Sequence, residues 1–255
     1  MGNIHNFAID VSEKNERGTS MSEKYVNPNT AATRTPICLC LDLSGSVSPY
    51  INLINNNVAG LYEAISDMAN ELAVFDIAQV TFGGMLQSRQ DEVKLKRFEQ
   101  VGKNDKPLRF EADEKTLLGA AVKRSMDCLD AFKNELKRHR IHYYQPILVI
   151  VSDGQVNDED DFRRLKKVQE DIREKVLQEK LLLITIGVGD VNLEVMSKFS
   201  PNGVVLHPLG IDFKQIITPL VASIRAGNQD APYNVINQNI GKMPTLLVYG
   251  KKALK

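Results

Sequence analysis

The sequence predicts an α/β fold: a doubly wound, mostly parallel central sheet with one short antiparallel edge strand and helices on both faces. Three observations predict it. Short apolar runs alternate along the chain with long segments of helical spacing. The runs are apolar throughout rather than on every second residue, as strands buried on both faces are. The small polar and acidic residues fall just after those runs, where ligand sites of such sheets lie.

The elements follow in order. Residues 1–35 are rich in Asn, Ser, Thr, Glu and Lys without sustained periodicity, and read as a disordered or loosely attached leader. The domain proper spans 36–226. Its first strand is expected over 37–41. Ile51, Ile54, Val58, Leu61, Ile65, Met68 and Leu72 then recur at three and four, the stripe of a long helix. Ser48 and Pro49 offer a start for it, an N-cap hydroxyl followed by Pro in the first turn. A strand over 79–82 follows, then 93–98, where apolar and basic residues alternate as on an edge strand. Leu118, Val122, Leu129, Phe132 and Leu136 make a second stripe, and residues 147–151 a third buried strand. The third stripe is Phe162, Leu165, Val168, Ile172 and Val176. The acidic run 158–161 opens it and reads as a solvated helix start rather than a second cation site. Strands over 181–186 and 204–206, a short helix over 193–199 and a helix over 212–225 complete the domain. Residues 227–255 form a C-terminal tail whose segment 245–249 is a candidate for one extra strand.

Composition narrows the function. Lys and Arg number 32 and so do Asp and Glu, giving a formal net charge of +0, so bulk charge supplies no attraction for nucleic acid. The longest aliphatic run, 147–151, is far shorter than the roughly 20 residues a bilayer span needs, so no membrane association is expected. No apolar run of a secretory signal occurs near the start. Cys38, Cys40 and Cys128 fit neither a disulfide framework nor a zinc spacing. The expected location is the cytoplasm.

The chemistry-bearing residues stand at three strand or helix ends. The first strand runs into Asp42-Leu43-Ser44-Gly45-Ser46, a carboxylate and two hydroxyls at i, i+2 and i+4. The strand 147–151 runs into Ser152-Asp153-Gly154, and Thr116 precedes the second helical stripe. In a parallel sheet these fall on one edge. Asp42, Ser44, Ser46, Thr116 and Asp153 offer oxygen donors only. That set suits Mg²⁺ first, with Mn²⁺ or Ca²⁺ as the alternatives, and argues against zinc or copper.

Asp42-x-Ser44-x-Ser46, Thr116 and Asp153-Gly154 resemble the metal-ion-dependent adhesion site of the von Willebrand factor type A (VWA) family, over about residues 36–226. The resemblance implies a Rossmann-like VWA fold. It implies Ser44 and Ser46 as direct metal ligands, Thr116 as a conformation-sensitive ligand, and Asp42 and Asp153 as charge-balancing partners acting through water. It further implies a protein–protein interaction module rather than an enzyme. The partner would supply a Glu or Asp side chain to the metal's open position. Gln79-Val80-Thr81-Phe82-Gly83-Gly84 and Gln145-Pro146-Ile147 resemble the intracellular tellurite-resistance-associated, stress-response branch. There the partner expected is a kinase or phosphatase system. The rival class is a Mg²⁺- or Mn²⁺-dependent phosphohydrolase using the same acidic site. It would need a second acid two residues after Asp42, where Ser44 stands.

The remaining motifs have plainer readings. Gly83-Gly84 lacks the Lys-Ser or Lys-Thr of a P-loop. Gly187-Val188-Gly189 lacks the third Gly of a dinucleotide fingerprint and reads as a strand exit. None of His5, His139, His142 and His207 stands in a nucleophile motif.

Overall fold

The computed structural model describes residues 32–68, 73–83, 93–101, 117–201, 203, 205–208 and 246–249. Its strands are β1 (Thr33–Asp42), β2 (Ala73–Phe82), β3 (Val93–Gln100), β4 (Ile147–Ser152), β5 (Leu182–Gly187), β6 (Val205–Pro208) and β7 (Leu246–Tyr249). Its helices are α1 (Ile51–Met68), α2 (Leu118–Arg138), α3 (Glu159–Leu177) and the one-turn α4 (Leu193–Met196). The strands form one sheet in the order β3-β2-β1-β4-β5-β6-β7. β2, β1, β4, β5 and β6 are parallel, and β3 lies antiparallel on β2 at one edge. The expected doubly wound α/β architecture is therefore present. The tail contributes β7, antiparallel to β6, at the other edge.

Alternation along the strands divides the core in two. Ile37, Leu39 and Leu41 of β1 and Val149 and Val151 of β4 pack with Ile54, Val58, Leu61 and Ile65 of α1. Cys38 and Cys40 of β1 and Leu148 and Ile150 of β4 face the other way. They join the buried stripes of α2 and α3, from Leu118 to Leu136 and from Leu165 to Val176. α2 thus buries its whole expected stripe, and α3 buries its own apart from Phe162, which is partly buried.

Several boundaries differ from expectation. β1 begins at Thr33, inside the segment that composition assigns to the leader, and β2 begins at Ala73 rather than 79. The cause is one long-range pair. Asp76 interrupts the apolar run of β2 and Arg34 makes the start of β1 polar, yet both side chains are buried against each other. A 3₁₀ helix, Gly45–Tyr50, takes in Ser48 and Pro49 and feeds α1 at Ile51. The helix expected over 212–225 lies outside the described residues, as does Leu72.

Candidate functional site at the carboxyl ends of the strands

Strand order reverses at β1, whose chain successor β2 lies on one side and β4 on the other. The crevice outside the carboxyl ends of β1 and β4 is therefore the switch point of the sheet. Leu41 pairs with Val151, which brings Asp42 and Ser152 to the same level at that crevice.

Both strand ends close by the same device, a side-chain oxygen accepting the backbone N–H two residues on. Asp42 Oδ1 accepts from Ser44 N at 2.9 Å. Asp153 Oδ1 accepts from Gln155 N at 2.9 Å. Ser152 links the two loops: its Oγ donates to Asp42 Oδ2 at 2.6 Å and accepts from Gly154 N at 2.9 Å. The Oγ atoms of Ser44 and Ser46 lie 3.1 Å apart. Gly154 has a positive φ of 76°, and a Cβ there would meet Met196 Cγ at 2.7 Å, so only glycine closes this turn without displacement. The loop after β5 is tied on by Asn192 N, which donates to the carbonyl of Asp153 at 2.7 Å.

Asp42 is fully buried, Ser44 and Asp153 nearly so, and Ser46 is exposed. Burial raises the Asp42 carboxyl to about 6. The hydrogen bonds from Ser152 and Ser44 pull it back in part, and the charge of Asp153 adds to the rise. No Lys or Arg pairs with either carboxylate among the described residues. The crevice thus groups two carboxylates, Asp42 and Asp153, with the hydroxyls of Ser44, Ser46 and Ser152. Its donors are oxygens, the type a hard divalent cation takes. Both oxygens of Asp42 are already engaged by Ser44 and Ser152, which suits contact with an ion through water.

Of the five residues singled out in the sequence, Asp42, Ser44, Ser46 and Asp153 come together at this crevice. Thr116 lies outside the described residues, one peptide bond before Leu117. Two further residues matter and were not singled out. Ser152 is the bridge just described; its position at the end of a buried strand was the available signal. Asp161 corrects the reading of the run 158–161 as solvated. It is 1% exposed, and its carboxylate accepts from Gly119 N at 2.7 Å and Ala120 N at 2.8 Å. The signal was periodicity, because Asp161 precedes Leu165 by four and stands on the buried stripe of α3. Asp158 behaves as an N-cap, accepting from Asp161 N at 2.7 Å.

These features define a class: a doubly wound α/β domain with an acidic, hydroxyl-lined crevice at its switch point. No family model and no curated protein matches the sequence. Similar solved structures include a von Willebrand factor type A protein from Catenulispora acidiphila, at 13% identity and TM-score 0.44, over 81% of this chain and 43% of that one. The manganese-loaded TRAP protein of Plasmodium vivax matches at 15% identity and TM-score 0.41, over 86% of this chain and 76% of that one. The open conformation of the pilus adhesin SpaC from Lactobacillus rhamnosus GG matches at 10% identity and TM-score 0.48, over 81% of this chain and 30% of that one. The chain thus spans less than half the length of the first and third. Likeness at this level bears on neither activity nor partners, and the architecture rests on the sheet order itself. Among the described residues no helix is long and apolar enough to cross a membrane.

Proposed function

We propose that the chain is a metal-dependent protein–protein interaction module of the VWA type, in which a divalent cation at the β1/β4 crevice binds an acidic side chain of a partner protein. The observation that carries the reading is the buried Asp42 beside Asp153 with two serine hydroxyls in reach and, among the described residues, no cationic side chain paired with them. Ser44 and Ser46 would hold the ion directly, Thr116 would join them, and Asp42 and Asp153 would act through water. Mg²⁺ is the first choice, with Mn²⁺ and Ca²⁺ next. An ion held by hydroxyls and water keeps most of its charge, so an open position attracts a carboxylate strongly. The sequence likeness to the tellurite-resistance-associated branch supports a cytoplasmic stress-response or signalling complex with a kinase or phosphatase system. Neither nucleic acid nor membrane is a partner in this reading, and the module is not a catalyst.

The test is calorimetric titration with Mg²⁺, Mn²⁺ and Ca²⁺, followed by chelator-reversible capture of a partner. Wild type should bind a cation and capture a partner only with it. Ser44→Ala and Asp42→Ala should do neither while keeping the wild-type circular dichroism. Metal-dependent capture that survives both substitutions would refute the reading. Phosphohydrolase turnover with Mg²⁺ or Mn²⁺, abolished by Asp42→Ala, would favour the enzyme instead.

A further inference from the structure

We infer that Asp161 is a positioning residue: its carboxylate, carried on α3, latches the first turn of α2, and so fixes Leu117, the sequence neighbour of Thr116, which the proposed function assigns to the cation. The inference rests on the metal-dependent reading above and names what sets the affinity of that site.

An α-helix leaves its first N–H groups without partners, and the usual remedy is a side chain at the N-cap. The N-cap of α2 is Leu117, which has no oxygen to offer and makes no side-chain cap bond. The vacancy is filled from another helix. Asp161 Oδ2 and Oδ1 take the N–H groups of Gly119 and Ala120 at 2.7 and 2.8 Å, in a bidentate grip buried from water. Arg164 Nη1 adds a third bond to Oδ1 at 3.2 Å. A negative charge at the positive end of α2 strengthens the grip. The backbones have been brought together to allow it. A Cβ on Gly119 would lie 2.4 Å from the carbonyl oxygen of Asp161 and 2.9 Å from Leu165 N, so any side chain there would push the helices apart.

A local cap would have satisfied the same N–H groups while leaving the two helices independent. The cap supplied here ties them. α3 follows the loop that carries Asp153, and α2 follows Thr116. The latch therefore joins the helix that follows Thr116 in sequence to the helix that follows the Asp153 loop. Binding energetics are reciprocal: if the latch favours the ion, the ion must favour the latch.

That reciprocity gives a test in the wild-type chain. Saturating Mg²⁺ should slow amide hydrogen exchange at Gly119 and Ala120, and Ser46→Ala should abolish the slowing. In parallel, Asp161→Asn should weaken Mg²⁺ and Mn²⁺ binding by about tenfold or more in calorimetric titration, the size typical of lost outer-shell support. Val176→Ala, which loosens the far end of α3 without touching the latch, should lower the melting temperature and leave the affinity unchanged. Equal weakening in Asp161→Asn and Val176→Ala would mean a merely structural role and would overturn the inference. So would wild-type binding of Mg²⁺ with exchange at Gly119 and Ala120 unaltered, a result that decides the matter even if Asp161→Asn fails to fold. Wild type that binds no cation at all would sink the metal-dependent reading, and the inference with it.

Discussion

Near the amino ends of β1 and β2, Asp76 is buried against Arg34, which grips it with two guanidinium bonds, one at 2.7 Å from Nε and the second from Nη2. Eight residues further along β1, roughly 26 Å of strand away, Asp42 is buried just as deeply. Among the described residues its hydrogen-bond partners are Ser152 and Ser44, and the charge that acts on it is that of another carboxylate, Asp153. Burial raises both carboxyls above their ordinary value, but only at Asp76 does a guanidinium work against the rise. The same sheet thus carries one acid whose charge is answered by a guanidinium and one that no cationic side chain answers among the described residues. The first is a fastening. The second, in the function proposed above, is where a cation from outside would bind.

Removing the answering charge gives the largest expected effect. Arg34→Met leaves Asp76 buried and unpaired and should destabilise the fold by about 3–5 kcal/mol, read as a lower urea midpoint. Replacing Arg34 and Asp76 together by apolar residues should recover most of that loss. At the other end Asp42→Asn should cost nothing in the metal-free protein near neutral pH, because it deletes an unfavourable charge. A costly Asp42→Asn and a harmless Arg34→Met would break the comparison.

The second effect is a pH dependence that follows from the raised Asp42 carboxyl. The Asp42 carboxyl rises from 3.8 to about 6 on folding. Between those values the folded chain holds a proton that the unfolded chain has released, so unfolding free energy falls as pH rises. The penalty is absent below the lower value and complete above the upper one, about 3 kcal/mol in all. Other groups titrate in the same window. The measurement is therefore the difference between wild type and Asp42→Asn across pH 4 to 8, without metal. Saturating Mg²⁺ should remove the difference. A gap that stays flat with pH would show that the Asp42 charge is already compensated.

The two ends also differ in how plainly the sequence announces them. Asp42, Ser44, Ser46 and Asp153 directly follow apolar strands, and strand ends in a parallel sheet share an edge, so local pattern and one topological rule place them together. Arg34 and Asp76 are 42 residues apart, and each taken alone argues against a buried strand. Their pairing is what lets both be buried in the opening residues of the strands, and no local window contains it. Asp161 falls between these cases. Its spacing from Leu165 puts it on the buried stripe, but a carboxylate in an acidic run at a helix start carries a simpler explanation, and its partners on α2 are again 42 and 41 residues away. Pattern identifies what a segment does with its own neighbours; polar pairs between distant segments need coordinates.

The smallest expected change in stability belongs to Ser46, and it sharpens the comparison most. Its side chain is exposed and its one described bond is the 3.1 Å contact with Ser44 Oγ. Water can replace that contact, so Ser46→Ala should alter unfolding free energy by no more than about 0.5 kcal/mol. The same substitution removes an oxygen donor from the proposed ion and should abolish the rise in melting temperature that Mg²⁺ gives wild type. At a cation concentration a hundredfold above the dissociation constant that rise corresponds to about 2.7 kcal/mol. A fastening and a vacancy thus respond in opposite ways: Arg34→Met costs stability whether or not metal is present, whereas Ser46→Ala costs it only when metal is present. If Ser46→Ala lowers the urea midpoint of the metal-free protein as far as Arg34→Met does, the carboxyl end of the sheet is a second structural cluster, and its unbalanced carboxylates are not waiting for an ion.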